Sequence, residues 1–477
     1  MEQLQREQPF VLPIKFIQFG EGNFLRAYFD WMIDLLNERT GFNAGVVVVR
    51  PRGHTVKPVL DEQGGVFTTL VQGLNEAGEA VKEYRKITCV QCEINASTMF
   101  GEFLALAVNP DTRYVISNTT EAGIAVNDSD RFDDAPPSSF PAKLTRLMFE
   151  RFRHFNGSAD HGWVLLPCEL IEHNGAALKR AVLHFAKLWN LGAEFAAWVE
   201  AANTFCSTLV DRIVTGYPEA EIDAIEAELG YRDRFLVAAE YYYVLLIEGP
   251  AWLAEEWGLN TAGLNVKLVD DIGPYRAAKV GILNGGHTSV VPVALLAGLE
   301  TVREAVEDDA VGAYLMQAID EEIIPALPLP RNELEDFAAE VLRRFRNPFI
   351  RHRLEAIALN SWPKFAARVM PQLLKSFGSN GAPRLVLALA ATMVLYRGNR
   401  GKTITLSDAP DTLQWYAQAW QDVDAGHMPL ADLAGGWLAR STLWGRDLNE
   451  IPGLRAALTM ALEQIESGGM RAALAAR

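Results

Sequence analysis

In the segment KVGILNGGH, Lys279, Asn284 and His287 set an amine, a carboxamide and an imidazole at K-x4-N-x2-H spacing. On a helix rising about 1.5 Å per residue the three groups fall within about 12 Å of one another. A ketone reduced by hydride gathers negative charge on its oxygen, and that charge must be stabilised and then protonated. Lys279 can supply the proton once partial burial or a neighbouring cation brings its pKa toward working pH. Asn284 can donate an amide N–H to the developing alkoxide without changing charge. His287, one helical turn on, can orient a substrate or tune the lysine. A lone lysine reads as a solvated surface residue. The asparagine, the histidine and the Gly285-Gly286 pair in an apolar setting favour the chemical reading.

Hydride needs a carrier, and the N-terminal run PIKFIQFGEGNFLRAYFDW has the order strand, Gly-rich turn, helix that grips a dinucleotide pyrophosphate. Gly20 and Gly22 permit a tight turn and close backbone approach, and the helix opening at Asn23 and Phe24 offers unpaired N–H groups to an anion. The third glycine of the usual fingerprint is absent, with Arg26-Ala27 standing where helix and sheet must pack closely, so a plain strand-to-helix turn is the competing reading. The next strand ends VVVVRPRG, carrying Arg50 and Arg52 where an acid would select NAD. Those arginines lean toward NADP; contact with adenine or solvent is the alternative.

These groups must be positioned by a chain of 477 residues, which exceeds what one hydrophobic core usually serves. Strand-like runs at Ile14 to Gly20, Gly45 to Arg50, Val66 to Gln72, Arg113 to Ser117 and Trp163 to Pro167 alternate with helix-like runs opening at Phe24, Thr98, Ala142 and Ala176. That alternation predicts a doubly wound, Rossmann-like α/β domain over 1–270, with Val46 to Val49 buried on both faces. Beyond it, Thr301 to Ile323, Glu333 to Arg346, Arg384 to Tyr396 and Leu454 to Glu466 carry helical periodicity, predicting a mostly α-helical domain over 271–477. The Lys279 helix then falls where the domains meet, and clefts there are common ligand sites.

A net charge of -16 argues against nonspecific binding to nucleic acid or an anionic membrane surface. No apolar run reaches the roughly 20 residues that span a bilayer, and MEQLQREQPF has no apolar signal core, so the expected location is cytoplasmic. Four cysteines make no disulfide framework; Cys89 and Cys92 form one C-x-x-C with no second pair to complete a zinc site, and TCVQCEIN alternates like a strand. Cys168 and Cys206 read as packed apolar residues. Nothing here sets the oligomeric state.

Across nearly its whole length the chain resembles the mannitol dehydrogenase family of long-chain polyol and uronate dehydrogenases. The stretches that carry the resemblance are FGEGNFLRA, SNTTEAG, FPAKLTRL, HNGAALKRAV, STLVDRI, KVGILNGGH, RFRNPFI and the lysine of NSWPKF. The resemblance implies that Lys279 is the catalytic lysine, Asn284 its oxyanion partner and His287 a substrate contact, with no metal required. It also implies pocket positions for Asp211 and Lys364. Two departures narrow the choice of member: CELIEHNG stands where polyol dehydrogenases and fructuronate reductases resemble CDNLxxNG, placing Leu170 at an asparagine position, and Ala356 stands where polyol oxidisers tend to carry arginine. The variant looks like the tagaturonate reductase branch of hexuronate catabolism, which implies interconversion of D-tagaturonate and D-altronate with NAD(H) and overrides the lean from Arg50. A fructuronate reductase or polyol dehydrogenase is the alternative within the family, and a non-catalytic dinucleotide-binding sensor the alternative outside it.

A uronate brings a carboxylate that needs a charged partner. Basic residues cluster in RFRNPFIRHRL and on to Lys364 and Arg368, which predicts Lys364 with one of Arg346, Arg351 or Arg353 as the holder. Helix capping or pairing with surface acids is the competing role for these arginines. Glu121 lines the cleft or braces its loop, and Asn174-Gly175 turns the chain into the next helix.

Overall fold

The structure is a computed structural model that describes residues 1–7, 11–50, 60–119, 123–398 and 406–476. It divides into two compact units, Met1–Asn75 with Val81–Ile272, and Glu76–Ala80 with Gly273–Arg477. Among the described residues no helix is long and apolar enough to cross a membrane.

A six-stranded sheet, parallel at every pairing the structure records, organises the first unit. Its strands are β1 (Ile14–Phe19), β2 (Gly45–Arg50), β3 (Val90–Asn95), β4 (Tyr114–Ser117), β5 (Val164–Pro167) and β6 (Thr204–Phe205), in the spatial order β3-β2-β1-β4-β5-β6. That is the doubly wound order of dinucleotide folds, with its switch point beside β1. Alternate side chains explain the unbroken valine run: Val46 and Val48 enter one apolar core with Phe16 and Ile116, while Val47 and Val49 enter the opposite one with Ile17 and Phe19.

The predicted strand near Val66 forms as Phe67–Leu74 but belongs to a separate four-stranded sheet, beside Ala80–Ile87 and Val237–Glu240. A further sheet joins Ser207–Asp211, Val244–Glu248 and Val266–Val269. Alternation of strand and helix signals does not distinguish one sheet from several, because sheet membership is decided by long-range pairing. TCVQCEIN supplies β3. Cys89, Cys168 and Cys206 are buried, and burial pushes the Cys92 thiol up to about 11 and the Cys206 thiol to about 12, which keeps both protonated near neutrality.

The second unit is helical, with Pro383–Leu395 at its centre, buried from Leu385 to Leu395 and packed on Gly285–Leu296 and Leu454–Ala475. The expected helical run from Thr301 to Ile323 is interrupted. Thr301 and Glu304 close a capping box on Val302–Glu307, and Asp308 then leaves helical conformation to cap Asp309–Gln317 by accepting from Ala310 and Val311 N–H at 3.1 and 3.0 Å. Ser361–Arg368 is anchored by Trp362, fully buried and packed on Trp437 and Tyr416 at ring-centroid distances of 4.5 and 5.6 Å. Aromatic truncation in such a core costs about 3–5 kcal/mol. Trp362→Ala should therefore lower the urea-unfolding free energy by about that amount, and a loss under about 1 kcal/mol would contradict the anchoring role.

Candidate active site

Helix Gly273–Ala278 runs into a π-helical turn, Lys279–Asn284, and then into helix Gly285–Leu296. This corrects the expectation of a straight α-helix. In an α-helix, residues five apart lie about 140° apart around the axis. A π turn closes its hydrogen bond over five residues, so Lys279 and Asn284 stand one turn apart on nearly the same side. Both side chains are partly buried, whereas His287 is 8% exposed.

Glycines let other helices close on this turn. A Cβ on Gly285 would sit 2.9 Å from the Arg368 carbonyl oxygen, and one on Gly281 would sit 3.1 Å from Gln372 Nε2 and Leu327. The Gly285 contact is with backbone, which cannot swing aside. It brings the end of Ser361–Arg368 against the residue that follows Asn284.

The His287 ring stacks on Phe345 with centroids 4.0 Å apart and meets the His352 ring edge-on at 5.1 Å. Burial first, then the positive charges of His352, Arg344 and Arg368, hold its pKa well below 6.5. His287 is therefore neutral at pH 7. Its Nε2 is buried with no hydrogen-bond partner among the described residues, and an orphaned ring nitrogen is costly unless a ligand meets it.

The basic residues separate by position. Lys364 Nζ donates to the carbonyls of Ile357 and Leu359 at 3.0 and 2.5 Å, tying off the short helix Leu354–Ile357. Arg351 lies 4.0 Å from Glu300 and Arg353 3.8 Å from Glu355, all exposed, and Arg346 is exposed at the end of Arg331–Phe345. The cations that act on His287 are instead Arg344, 7% exposed, and Arg368, partly buried. Sequence reasoning missed Arg344 and His352. Helical periodicity marks Arg344 as adjacent to a core phenylalanine but does not say which ring that phenylalanine packs against.

In the first unit, Gly20 has φ +124°, and a Cβ there would sit 3.1 Å from the Asn118 carbonyl oxygen, so the turn requires glycine. A Cβ on Gly22 would meet nothing within 4 Å, which leaves the backbone open to a phosphate. The following helix opens at Asn23 with no side-chain cap. Phe24 stacks on Tyr28 at 4.9 Å, and Arg26 braces the turn by donating to Glu21 O at 3.2 Å and Asn23 Oδ1 at 2.6 Å. These features, at the switch point of the parallel sheet, fit a dinucleotide. Arg50, at the end of β2, pairs with the fully buried Glu93 carboxylate and lies 3.7 Å from Glu21. Its charge is compensated within the protein.

Asp211 ends the strand Ser207–Asp211 and is 6% exposed. Asn174 is buried and structural: its amide donates to Pro167 O at 2.8 Å and accepts from Thr208 N–H at 2.9 Å. Leu170 is exposed. Arg52 and Glu121 lie outside the described residues.

Residues 14–261 match the model of the mannitol dehydrogenase Rossmann domain, and residues 271–466 match that of the mannitol dehydrogenase C-terminal domain. The chain is 54% identical over 467 residues to a protein of Yersinia enterocolitica serotype O:8 / biotype 1B named altronate oxidoreductase, covering 97% of each. It is 53% identical over 470 residues to one of the same name from Pectobacterium atrosepticum, covering 97% of this chain and 96% of the relative. Among solved structures it resembles a substrate-free D-sorbitol dehydrogenase at a TM-score of 0.79 and 21% identity, over 99% of this chain and 100% of that one. It also resembles Pseudomonas fluorescens mannitol 2-dehydrogenase, solved with NAD and D-mannitol, at 0.69 and 22%, over 99% and 96%. At those identities the structures speak for the fold alone. With both halves matched and relatives of over half identity along nearly its full length, the chain belongs to the mannitol dehydrogenase family.

Proposed function

We propose that this oxidoreductase interconverts D-tagaturonate and D-altronate with NAD(H), using Lys279 as general acid in reduction and general base in oxidation. The π-helical turn supports the mechanistic reading, because in it residues 279 and 284 stand one turn apart on nearly the same side. The near full-length likeness to proteins named altronate oxidoreductase supports the substrate.

NADH, held at the turn of Gly20, Gly22, Asn23 and Phe24, would supply hydride to the substrate's carbonyl carbon. The oxygen then carries the charge, Asn284 Nδ2 donates a hydrogen bond to it, and Lys279 Nζ delivers the proton that completes the alcohol. In the other direction Lys279, as the free amine, removes the hydroxyl proton, and oxidised NAD would accept the hydride from the carbon. His287 is neutral and offers Nε2 to a substrate hydroxyl without adding repulsion to the lysine. Asp211 and Lys364 are further proposed substrate contacts, Lys364 through its remaining donor.

Cofactor choice follows from Arg50. A 2′-phosphate at the end of β2 meets an arginine already neutralised by Glu93 and Glu21, so the site favours a ribose hydroxyl. Gly20, Gly22, Asn23 and Phe24 frame the pyrophosphate side.

Lys279→Ala should lower kcat by at least about 100-fold across the alkaline range while the Kd for NADH, read by fluorescence titration, changes little. Initial rates on D-tagaturonate, D-fructuronate and D-fructose should rank tagaturonate first; preference for fructose would refute the substrate. Glu93→Gln should release Arg50 and raise the NADPH-to-NADH ratio of kcat/KM by about tenfold, ~1.4 kcal/mol. Because the folded pKa of His287 is depressed, its contribution to stability is complete above about pH 6.5 and is lost as the pH falls below that value. His287→Phe should accordingly lose less unfolding free energy than the parent chain between about pH 7.5 and about pH 5, measured in urea.

A further inference from the structure

We propose that Arg368 binds the carboxylate of the sugar-acid substrate and so selects uronates over neutral ketoses. The proposal rests on the substrate reading above and assigns a role to a residue that reading leaves unused.

Three other shielded arginines each donate to internal acceptors. Arg151 donates to the carbonyls of His161, Ala107, Asn109 and Thr112, Arg212 to those of Glu240 and Ala27, and Arg384 to Glu321 and Glu322. Arg368 differs. It is partly buried, yet among the described residues no carboxylate or carbonyl receives its guanidinium. Burial weakens its hold on the proton and no acid compensates, whereas Lys364 has Asp408 and Arg344 acts on Glu340.

The surroundings call for an anion. Arg368 and Arg344 both exert their charge on His287, whose Nε2 is orphaned, and Arg368 also acts on Lys364, so two guanidinium groups bear on a neutral imidazole. Gathering like charges around a buried ring is unfavourable unless a bound anion offsets it. A guanidinium fork matches a carboxylate in two parallel hydrogen bonds, which a lysine amine cannot do. The Gly285 contact sets the Arg368 backbone beside the helix that carries the chemistry, since its carbonyl lies 2.9 Å from where a Gly285 Cβ would stand and Asn284 is the residue before Gly285. One end of a six-carbon keto acid can then lie at Asn284 and Lys279 while its carboxylate reaches Arg368. The other expected holders are less suited to a fork: Lys364 gives two of its three donors to carbonyls, and Arg346, Arg351 and Arg353 are exposed, the last two beside surface glutamates.

The test compares Arg368→Gln and Arg368→Lys with the unaltered enzyme on D-tagaturonate and on the neutral ketose D-fructose. Expected for Arg368→Gln is a rise of about 100-fold in KM for tagaturonate with a smaller change in kcat, so that the acid-to-neutral ratio of kcat/KM collapses. Arg368→Lys should fall between, because it keeps the charge and loses the fork. NADH titration and a thermal melt on each variant establish that the fold survives. Equal losses on both substrates, or an unchanged KM for tagaturonate, would overturn the assignment. The unaltered enzyme reports on the parent reading separately: if it ignores every keto-sugar acid, the function is wrong, whereas if it reduces tagaturonate and Arg368→Gln keeps its KM, only the carboxylate assignment is wrong.

Discussion

A backbone contact governs the arrangement in the C-terminal unit: Gly285 lies so close to the carbonyl of Arg368 that no side chain fits between them. Any larger residue would push apart the helix that carries His287 and the helix that carries Lys364 and Arg368, and with them the relation between proton donor, amide and guanidinium. Packing elsewhere enforces the contact. Trp362 pins one helix into an aromatic cluster, and Phe345 holds the His287 ring face-on from a third. Close-packed interiors transmit such constraints because their side chains have little room to yield.

Electrostatics sorts the groups that this packing gathers. His287 is shielded and surrounded by cations, so it is kept neutral and works as a hydrogen-bonding group rather than a charge. Arg50 in the first unit shows the opposite solution, a cation matched by a buried carboxylate and therefore unavailable to a phosphate. Arg50 and Arg368 contrast in this respect: the first is paired internally and serves the fold, and the second, without an internal partner among the described residues, is the one proposed to meet a ligand.

Much of this was legible in the residues. The valine run, the Gly-rich turn and the strand-helix alternation carry local signals that survive folding, and β1, β2, β4 and β5 form within a residue of where the pattern places them. The number of sheets was not legible, because Phe67–Leu74 reads like any strand until its partners are known. Nor was the π turn at Lys279, since periodicity scores a helix without counting five residues per hydrogen bond. The basic cluster was visible as a cluster only. Which arginine faces inward depends on where Arg331–Phe345 ends and how the chain turns toward His352, both of which are tertiary outcomes.

The central claim is that the Lys279 amine moves the proton. Chemical rescue tests it most directly: turnover of Lys279→Gly measured with added alkylamines of graded basicity. Saturable recovery whose pH dependence follows the pKa of the added amine is the predicted result. A variant indifferent to amines, or one that turns over at the parental rate without them, would contradict the account.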